Sequence, residues 1–333
     1  MNILIFAAGG IGDVLMTTPM FRAIKKQFPH YNITVIVMGP TQHCLLKNNH
    51  YVDEVISLSS KKWVGLSNKL RLILLIRKKN FRFVFFNHIS DRPIFFALAL
   101  FGKIKNRIGL DKSSVARNNI YQFYSKILTR VYNYEFNTRR RTELNLMLLR
   151  ELNINNNDCS YDLTLINRLP SINDNKVVGV HPGSKLKGEL KRWDINKFNK
   201  LGQCITERYN YKIRLFLGPE DKDLENNVNR DFEIIENVQF EEALFCVSEC
   251  DYFISNDSGL AHVAAAFNIP TIVIFGPTAK TEYILPTKFS AVEIDNLSCR
   301  PCFHLRKPCP INQKCLNEIS IAQVMTAFEN LIN

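Results

Sequence analysis

The fold of this chain is decided by the stretch Ser255-Asn256-Asp257-Ser258-Gly259-Leu260-Ala261-His262-Val263-Ala264-Ala265-Ala266. Two largely apolar runs flank it, at 251–254 and 271–275. The pattern predicts a strand, a tight turn, a helix of small residues and a second strand. Strand, helix and strand in this order form the repeating unit of a doubly wound parallel sheet. We therefore predict an α/β fold.

The turn in this stretch is expected at the carboxyl end of a parallel strand, where open α/β sheets bind their ligands. Asp257 or Ser258 can cap the helix, and Gly259 lets a ligand come close to the backbone. The helix amides and the positive end of the helix dipole suit a phosphate or pyrophosphate. An ordinary capped helix, in which His262 is merely packed, fits the same pattern. The turn alone leaves both interpretations open.

Length and composition narrow the class of protein. A chain of 333 residues is long enough for two domains of about 150 residues each. A content of 46% hydrophobic and 22% charged residues is typical of a soluble globular protein. No apolar run approaches the roughly 18 to 20 residues of a membrane span, and no basic segment of a signal peptide follows Met1. We therefore expect a cytoplasmic protein.

Positive charge is concentrated between Lys61 and Arg140, where 18 Lys and Arg residues stand against three acidic ones. The whole chain carries a formal net charge of only +12, so the remainder is slightly acidic. The basic region indicates an anionic partner, such as nucleic acid, an anionic membrane surface or a phosphorylated substrate. No nucleic-acid-binding motif accompanies the charge, which argues against nucleic acid. A solvated basic surface without a partner is the alternative.

A glycine-rich turn follows the first predicted strand at 9–13. It does not fit a dinucleotide site, because Leu15 stands where the fingerprint needs its third glycine and the second strand ends without a carboxylate for a ribose. The turn offers close backbone approach at Gly10 and Gly12, with Asp13 at the strand end. A carboxylate there can take a proton from a hydroxyl, or it can simply favour the helix dipole.

The remaining elements complete two α/β halves. In the first half we predict strands at 2–6, 33–37 and 81–86, and helices at 14–28, 69–79, 93–101 and 142–152. A polar segment with a proline, at 165–176, is the predicted linker. In the second half we predict strands at 176–180 and 212–217, and helices at 195–209 and 319–332. The ends of the parallel strands in each half should line one edge of a ligand site.

Eight short motifs are spread over nearly the whole chain. In order they are Ile11-Gly12-Asp13, Thr17-Thr18-Pro19, Ala23-Ile24-Lys25, His181-Pro182-Gly183-Ser184, Lys191-Arg192-Trp193, Gly218-Pro219-Glu220, Ser255 to His262, and Phe275-Gly276-Pro277-Thr278. Each motif is weak alone. Their order and spacing together resemble glycosyltransferase family 9, the ADP-heptose:lipopolysaccharide heptosyltransferases.

The resemblance implies a GT-B architecture, in which two Rossmann-like domains face each other across a cleft. It implies an N-terminal acceptor-binding domain at 1–166 and a C-terminal domain at 176–318 that binds the nucleotide-sugar donor. It also implies that a last helix, within 319–333, crosses back to the first domain.

The resemblance further implies the roles of individual residues. Asp13 is expected to be the general base, and Gly10 and Gly12 are expected to form the acceptor-side backbone. Lys191 is expected to contact the donor's phosphates. The complete predicted donor-binding set is Ser184, Lys191, Glu220, Asp257, Ser258, Gly259, Leu260 and His262. Glu220 is expected to bind the nucleotide ribose, and a plain solvent-exposed acid is the alternative.

The implied reaction agrees with the chemistry of these residues. Displacement of ADP from an anomeric carbon needs a base on the attacking hydroxyl and positive charge on the leaving diphosphate. A carboxylate and helix amides supply both, so no metal or other cofactor is expected for catalysis. Attack from the face opposite ADP should invert the anomeric centre.

Two features depart from the family pattern. Family members often carry Ser or a similar residue ahead of Ile-Gly-Asp, where this chain has Gly9-Gly10. The hydrogen bonding around Asp13 is therefore in question. The loop 185–190 is also unusually basic, which indicates a different mode of binding the donor or the acceptor.

Nine cysteines should be reduced thiols in a cytoplasmic protein. Four of them, Cys299, Cys302, Cys309 and Cys315, lie within 17 residues in a C-x2-C-x6-C-x5-C pattern. This spacing is a candidate for a structural Zn or Fe site, although it matches no standard ribbon. Reduced thiols, or thiols linked by an occasional disulfide, are the alternative.

The leading hypothesis is an inverting heptosyltransferase that acts on the phosphorylated lipopolysaccharide core at the inner face of the cytoplasmic membrane. Its basic region 61–140 would meet the acceptor and anionic lipids there. A family 9 transferase with a protein or another glycan as acceptor is the nearer competitor. A non-catalytic nucleotide-sugar binding protein, or a sugar-nucleotide epimerase, represents a different class.

Overall fold

The computed structural model describes residues 1–87, 93–111, 126–134, 137–165, 175–184, 188–302 and 309–333. They divide into two compact units, Met1–Thr164 and Leu165–Asn333. Most of the predicted linker at 165–176 lies outside the described residues, as do parts of the basic region and of the loop 185–190. The functional division into 1–166, 176–318 and 319–333 stays a prediction.

The first unit is built on a six-stranded parallel sheet with the order β3-β2-β1-β4-β5-β6. Its strands are β1 (Asn2–Ala7), β2 (Asn32–Val37), β3 (Glu54–Ser57), β4 (Phe83–Phe86), β5 (Asn106–Asp111) and β6 (Arg130–Asn133). Its helices are α1 (Ile11–Leu15), α2 (Thr18–Gln27), α3 (Pro40–Leu46), α4 (Leu66–Lys79), α5 (Pro93–Phe101) and α6 (Arg141–Met147). The central strand β1 is buried along almost its whole length, as parallel strands are.

The second unit repeats this plan with the order β12-β11-β10-β7-β8-β9. Its strands are β7 (Val177–His181), β8 (Lys212–Phe216), β9 (Glu233–Ile235), β10 (Tyr252–Asn256), β11 (Thr271–Ile274) and β12 (Phe289–Val292). Its helices are α7 (Ile195–Tyr209), α8 (Phe240–Ser248), α9 (Gly259–Ala266), α10 (Lys314–Asn317) and α11 (Ile321–Ile332). Helix α11 packs its apolar side, including Val324 and Phe328, into the core of this unit.

Counted within each unit, both sheets have the strand order 3-2-1-4-5-6 of doubly wound folds. This order reverses direction between β1 and β4 in the first unit, and between β7 and β10 in the second. Ligands of such sheets bind at the carboxyl ends of the strands beside this switch point. The structure confirms the predicted α/β class and fixes where each unit can hold a ligand.

Most predicted elements are confirmed, and two differ. The predicted helix at 14–28 is two helices, α1 and α2, because Pro19 has no N–H to continue the hydrogen-bond ladder from α1. The predicted helix at 142–152 is α-helical only as α6 and continues as a 3-10 turn at Leu148–Leu152. Asn153 then ends the segment in the left-handed conformation.

Candidate functional site

Asp13 lies in α1 directly after β1, at the switch point of the first sheet. Its Oδ2 atom accepts a hydrogen bond from the backbone N–H of Gly10 at 2.8 Å. A side chain on Gly9 would overlap the Asp13 carboxylate, so glycine is needed for this close packing. The Gly9-Gly10 pair thus gives the half-buried Asp13 a backbone donor, which answers the question that its departure from the family pattern raised.

Polar side chains from other elements hold the chain next to Asp13. The Thr17 hydroxyl donates to the Asp13 carbonyl at 2.8 Å, and Asn87 at the end of β4 donates to that hydroxyl. Asn145 of α6 donates to the Met16 carbonyl at 2.9 Å. Sequence analysis missed both asparagines. The one sequence signal for a role of Asn87 was its position directly after a predicted strand.

Asn256 organises the switch point of the second sheet. It ends β10, is fully buried, and accepts a hydrogen bond from the Trp193 backbone N–H at 2.9 Å. Its amide donates to the Pro182 carbonyl at 2.7 Å. One side chain therefore fixes the end of β7 and the Lys191-Arg192-Trp193 segment against the end of β10.

Lys191 and Asp257 form an ion pair at this switch point, with Nζ and Oδ2 2.6 Å apart. The side chains are only 16% and 8% exposed. Burial by itself would raise the pKa of Asp257, but the Lys191 ammonium and the hydrogen bonds to the carboxylate outweigh it. The pKa of Asp257 therefore lies below its ordinary value, and its carboxylate is ionised at neutral pH.

Helix α9 starts immediately after this ion pair, with Ser258 as its N-cap residue. The Ser258 hydroxyl oxygen is buried and has no hydrogen-bond partner within the described ranges. Gly259 and Leu260 form the half-buried first turn of the helix, while His262 is buried with its ring edge-on to Tyr283. The amide end of α9 and an unsatisfied hydroxyl thus lie at the switch point, which is an arrangement that suits an anion.

Asp221 is a buried hub that sequence analysis missed in favour of its neighbour Glu220. Its carboxylate accepts hydrogen bonds from the backbone N–H groups of Gly218 at 2.9 Å and Ser184 at 3.2 Å, and pairs with Arg192 at 2.8 Å. The side chain of Glu220 is exposed. Ser184 is thus positioned by Asp221, whereas the predicted ribose contact of Glu220 stays a prediction. Gly218 and Asp221 are three residues apart, as Gly10 and Asp13 are, and this shared spacing is the sequence signal that pointed to Asp221.

His181 at the end of β7 is buried, and its Nδ1–H donates to the Phe216 carbonyl at 3.0 Å. Burial holds the pKa of His181 below its ordinary value of 6.5.

The unfolded chain therefore takes up a proton at His181 before the folded protein does. We expect the free energy of unfolding to fall as the pH drops below about 6.5, by at most about 1.4 kcal/mol per pH unit. His181→Asn keeps a donor without a titrating ring. Denaturant unfolding at about pH 7.5 and about pH 5 should show a smaller loss for the variant. Equal losses in both proteins would contradict this role.

The four clustered thiols lie near one another in the second unit. Burial raises the pKa of Cys315 to about 11, and the neighbouring Cys302, Cys309 and Cys299 also act on it. The Cys302 backbone N–H donates to the Pro277 carbonyl at 2.8 Å, which joins the cluster to the loop after β11. All nine cysteines are free thiols. Within the part of the chain that the structure describes, no group of three or more His, Cys, Asp or Glu residues is arranged to hold a metal ion. The candidate Zn or Fe site at these four thiols stays a prediction.

A protein-family model and curated relatives identify the family to which this chain is similar. The family model for glycosyltransferase family 9 (heptosyltransferase) matches residues 96–312, which is more than half of the chain. The chain is 25% identical over 346 residues to lipooligosaccharide heptosyltransferase 2 of Campylobacter jejuni, with 99% of each protein covered.

Two solved structures show the same fold. The glycosyltransferase family 9 protein of Veillonella parvula aligns with a TM-score of 0.77 and 20% identity, over 99% of this chain and 97% of that one. ADP-heptose lipopolysaccharide heptosyltransferase II of E. coli aligns with a TM-score of 0.76 and 19% identity, over 100% and 98%. The two six-stranded sheets are thus the Rossmann-like sheets of a GT-B fold. With its family model, full-length relatives and sheet topology in agreement, this chain belongs to glycosyltransferase family 9, the heptosyltransferases.

Proposed function

We propose that this protein is an inverting glycosyltransferase that moves a heptose from ADP-heptose to a hydroxyl of the lipopolysaccharide inner core. The observation that carries the proposal is that the two switch points present different chemical groups. The first sheet presents a carboxylate, Asp13, and the second presents a helix N-terminus with the Lys191–Asp257 pair. A proton acceptor and an anion site are the two groups that the displacement of ADP by a hydroxyl requires.

The transfer proceeds in one displacement. The Asp13 carboxylate takes the proton of the acceptor hydroxyl while the hydroxyl oxygen bonds to the anomeric carbon. The bond from that carbon to the diphosphate oxygen breaks, and its electron pair leaves with ADP. Amides at the start of α9, the Ser258 hydroxyl and Lys191 stabilise the charge on the leaving group. A single displacement without a protein nucleophile inverts the anomeric centre.

In this proposal each unit binds one of the two substrates. Residues 1–166 bind the phosphorylated core acceptor and residues 176–318 bind the donor, through Ser184, Glu220, Gly259, Leu260 and His262 in addition to the groups above. The enzyme works in the cytoplasm at the inner face of the membrane and needs no cofactor or nucleic acid. The names of the relatives support this proposal, because they describe heptosyltransferases of lipopolysaccharide and lipooligosaccharide.

Release of ADP tests the proposal. We expect purified protein to release ADP from ADP-heptose only when a heptose-deficient lipopolysaccharide core is present, with a product of inverted anomeric configuration. A core that already carries its heptoses is the matched control and should give little release. Donor binding without release for several acceptors would overturn the assignment. Formation of an epimer from the donor alone would replace it with an epimerase.

A further inference from the structure

Large apolar side chains are exposed in one part of the first unit. Six of the seven in the described residues form what we call the apolar face, and their exposed fractions run from 47% to 78%. Its members are Val64, Leu66, Leu70, Leu74, Leu100 and Phe101. The seventh, Val131, lies on β6. Single exposed leucines are common on soluble proteins, but a cluster of this kind marks an interaction surface.

The apolar face is built on α4 and on the end of α5. Leu66, Leu70 and Leu74 are spaced four residues apart, so they line one side of α4. The opposite side of the helix, with Leu72 and Ile76, is buried in the core. The Arg77 guanidinium donates to the Phe101 carbonyl at 2.7 Å, which joins the ends of the two helices. The exposed leucines are thus additional to the side chains that hold α4 on the sheet.

The charged residues of α4 and of the segment just before it are all basic. Six exposed cations accompany it, namely Lys61, Lys62, Lys69, Arg71, Arg77 and Lys78. The sequence from 55 to 90 contains no Asp or Glu. At about 100° per residue, Lys69, Arg77 and Lys78 fall on or beside the side of α4 that carries the leucines. A partner must therefore offer apolar contact and negative charge together.

We propose that the apolar face docks the protein on an anionic lipid bilayer, with α4 lying in the plane of the interface. An anionic bilayer supplies acyl chains for the leucines and headgroups for the cations. Helix α4 has 14 residues, or about 21 Å, and is too short to cross a bilayer. Within the described ranges, no helix is long and apolar enough for a span. A second copy of the chain is a poor occupant, because it would set two acid-free basic segments against each other.

This proposal deepens the proposed function, because it names the surface through which the enzyme reaches a bilayer that carries its acceptor. Experiment can contradict the docking face and the proposed function independently of each other. Vesicle binding is measured without donor or acceptor, whereas transfer is measured on a water-soluble core fragment without vesicles. Transfer without vesicle binding would overturn the docking face and leave the function standing. Vesicle binding without transfer would overturn the proposed function and leave the docking face standing.

The test is sedimentation of the full chain with vesicles of phosphatidylcholine that contain about a third phosphatidylglycerol. We expect the triple variant Leu66→Ser/Leu70→Ser/Leu74→Ser to bind at least about a hundredfold more weakly than wild type, since each leucine loses its buried methyl and methylene groups. Lys69→Gln/Lys78→Gln should weaken binding roughly thirtyfold and remove much of its salt sensitivity. Val131→Ser, which removes an exposed apolar side chain outside the apolar face, should bind as wild type does.

Three results would overturn the proposal. They are equal binding by the triple variant, equal binding of wild type to pure phosphatidylcholine, and a wild-type dimer that becomes monomeric in the triple variant. Sedimentation velocity measures the last of these and would assign the apolar face to self-association instead. The thermal midpoint should be unchanged in every variant, because the altered side chains are exposed. An unchanged midpoint confirms that weaker binding reflects the surface and not unfolding.

Discussion

Asp13→Asn is expected to lower turnover by roughly 10² to 10⁴ while the affinity for the donor barely changes. The amide keeps the size of the carboxylate but cannot take the proton of the acceptor hydroxyl. The loss should appear in kcat, because the proton moves in the transition state. The Gly10 N–H that now donates to Asp13 Oδ2 at 2.8 Å can still donate to the amide oxygen of Asn. The turn itself should therefore persist.

The matched control is Asp53→Asn in the same unit. Asp53 pairs with Lys25 at 2.8 Å and precedes the amino end of β3, which is the opposite edge of the sheet from Asp13. Loss of this half-exposed pair should leave turnover unchanged and cost less than about 1 kcal/mol of stability. Steady-state ADP release and calorimetric donor titration separate the two effects. A fully active Asp13→Asn enzyme would remove the general base from the mechanism.

Lys191→Met is expected to weaken donor binding roughly 10- to 100-fold and to destabilise the second unit by about 3 kcal/mol. The binding loss follows from the missing cation beside the leaving diphosphate. The stability loss follows because Asp257, whose side chain is 8% exposed, is left as a buried charge without its partner. The two losses have different causes and can be separated by one further substitution.

The double variant Lys191→Met/Asp257→Asn removes the buried charge as well. We expect it to recover most of the stability of the single variant but none of the donor affinity, which is a coupling that a double-mutant cycle measures. The sign of the pH dependence is fixed by the low pKa of Asp257. The pair stabilises the fold above pH 3.8 and this stability is lost as the pH falls through the lower folded pKa. Recovery of donor binding together with stability would show that Lys191 has only a structural role.

Local sequence patterns predicted the elements well where one segment contained all the information. Helices α5 and α7 begin and end where the sequence placed them, at Pro93–Phe101 and Ile195–Tyr209. An apolar run bounded by Pro or Gly, and an Asp194 side chain that caps α7 through Asn196 N–H, are local signals. The same reasoning failed at α1 and α2, where a new helix starts at Thr18, with Pro19 in its first turn, in spite of a continuous apolar periodicity.

The sequence by itself determined the α/β class, the order of the strands along the chain, the family, and the candidate residues Asp13 and Asp257 at strand ends. Only the tertiary structure decided which side chains act on them. Asn256 reaches Pro182 and Trp193, and Lys191 reaches Asp257, across more than 60 residues of chain. Asp221, rather than the predicted Glu220, became the buried hub because the strand ends at Ser184 and Gly218 converge on it. Such partners cannot be inferred from local periodicity, since the sheet order that places the ends of β7, β8 and β10 side by side differs from their order in the sequence.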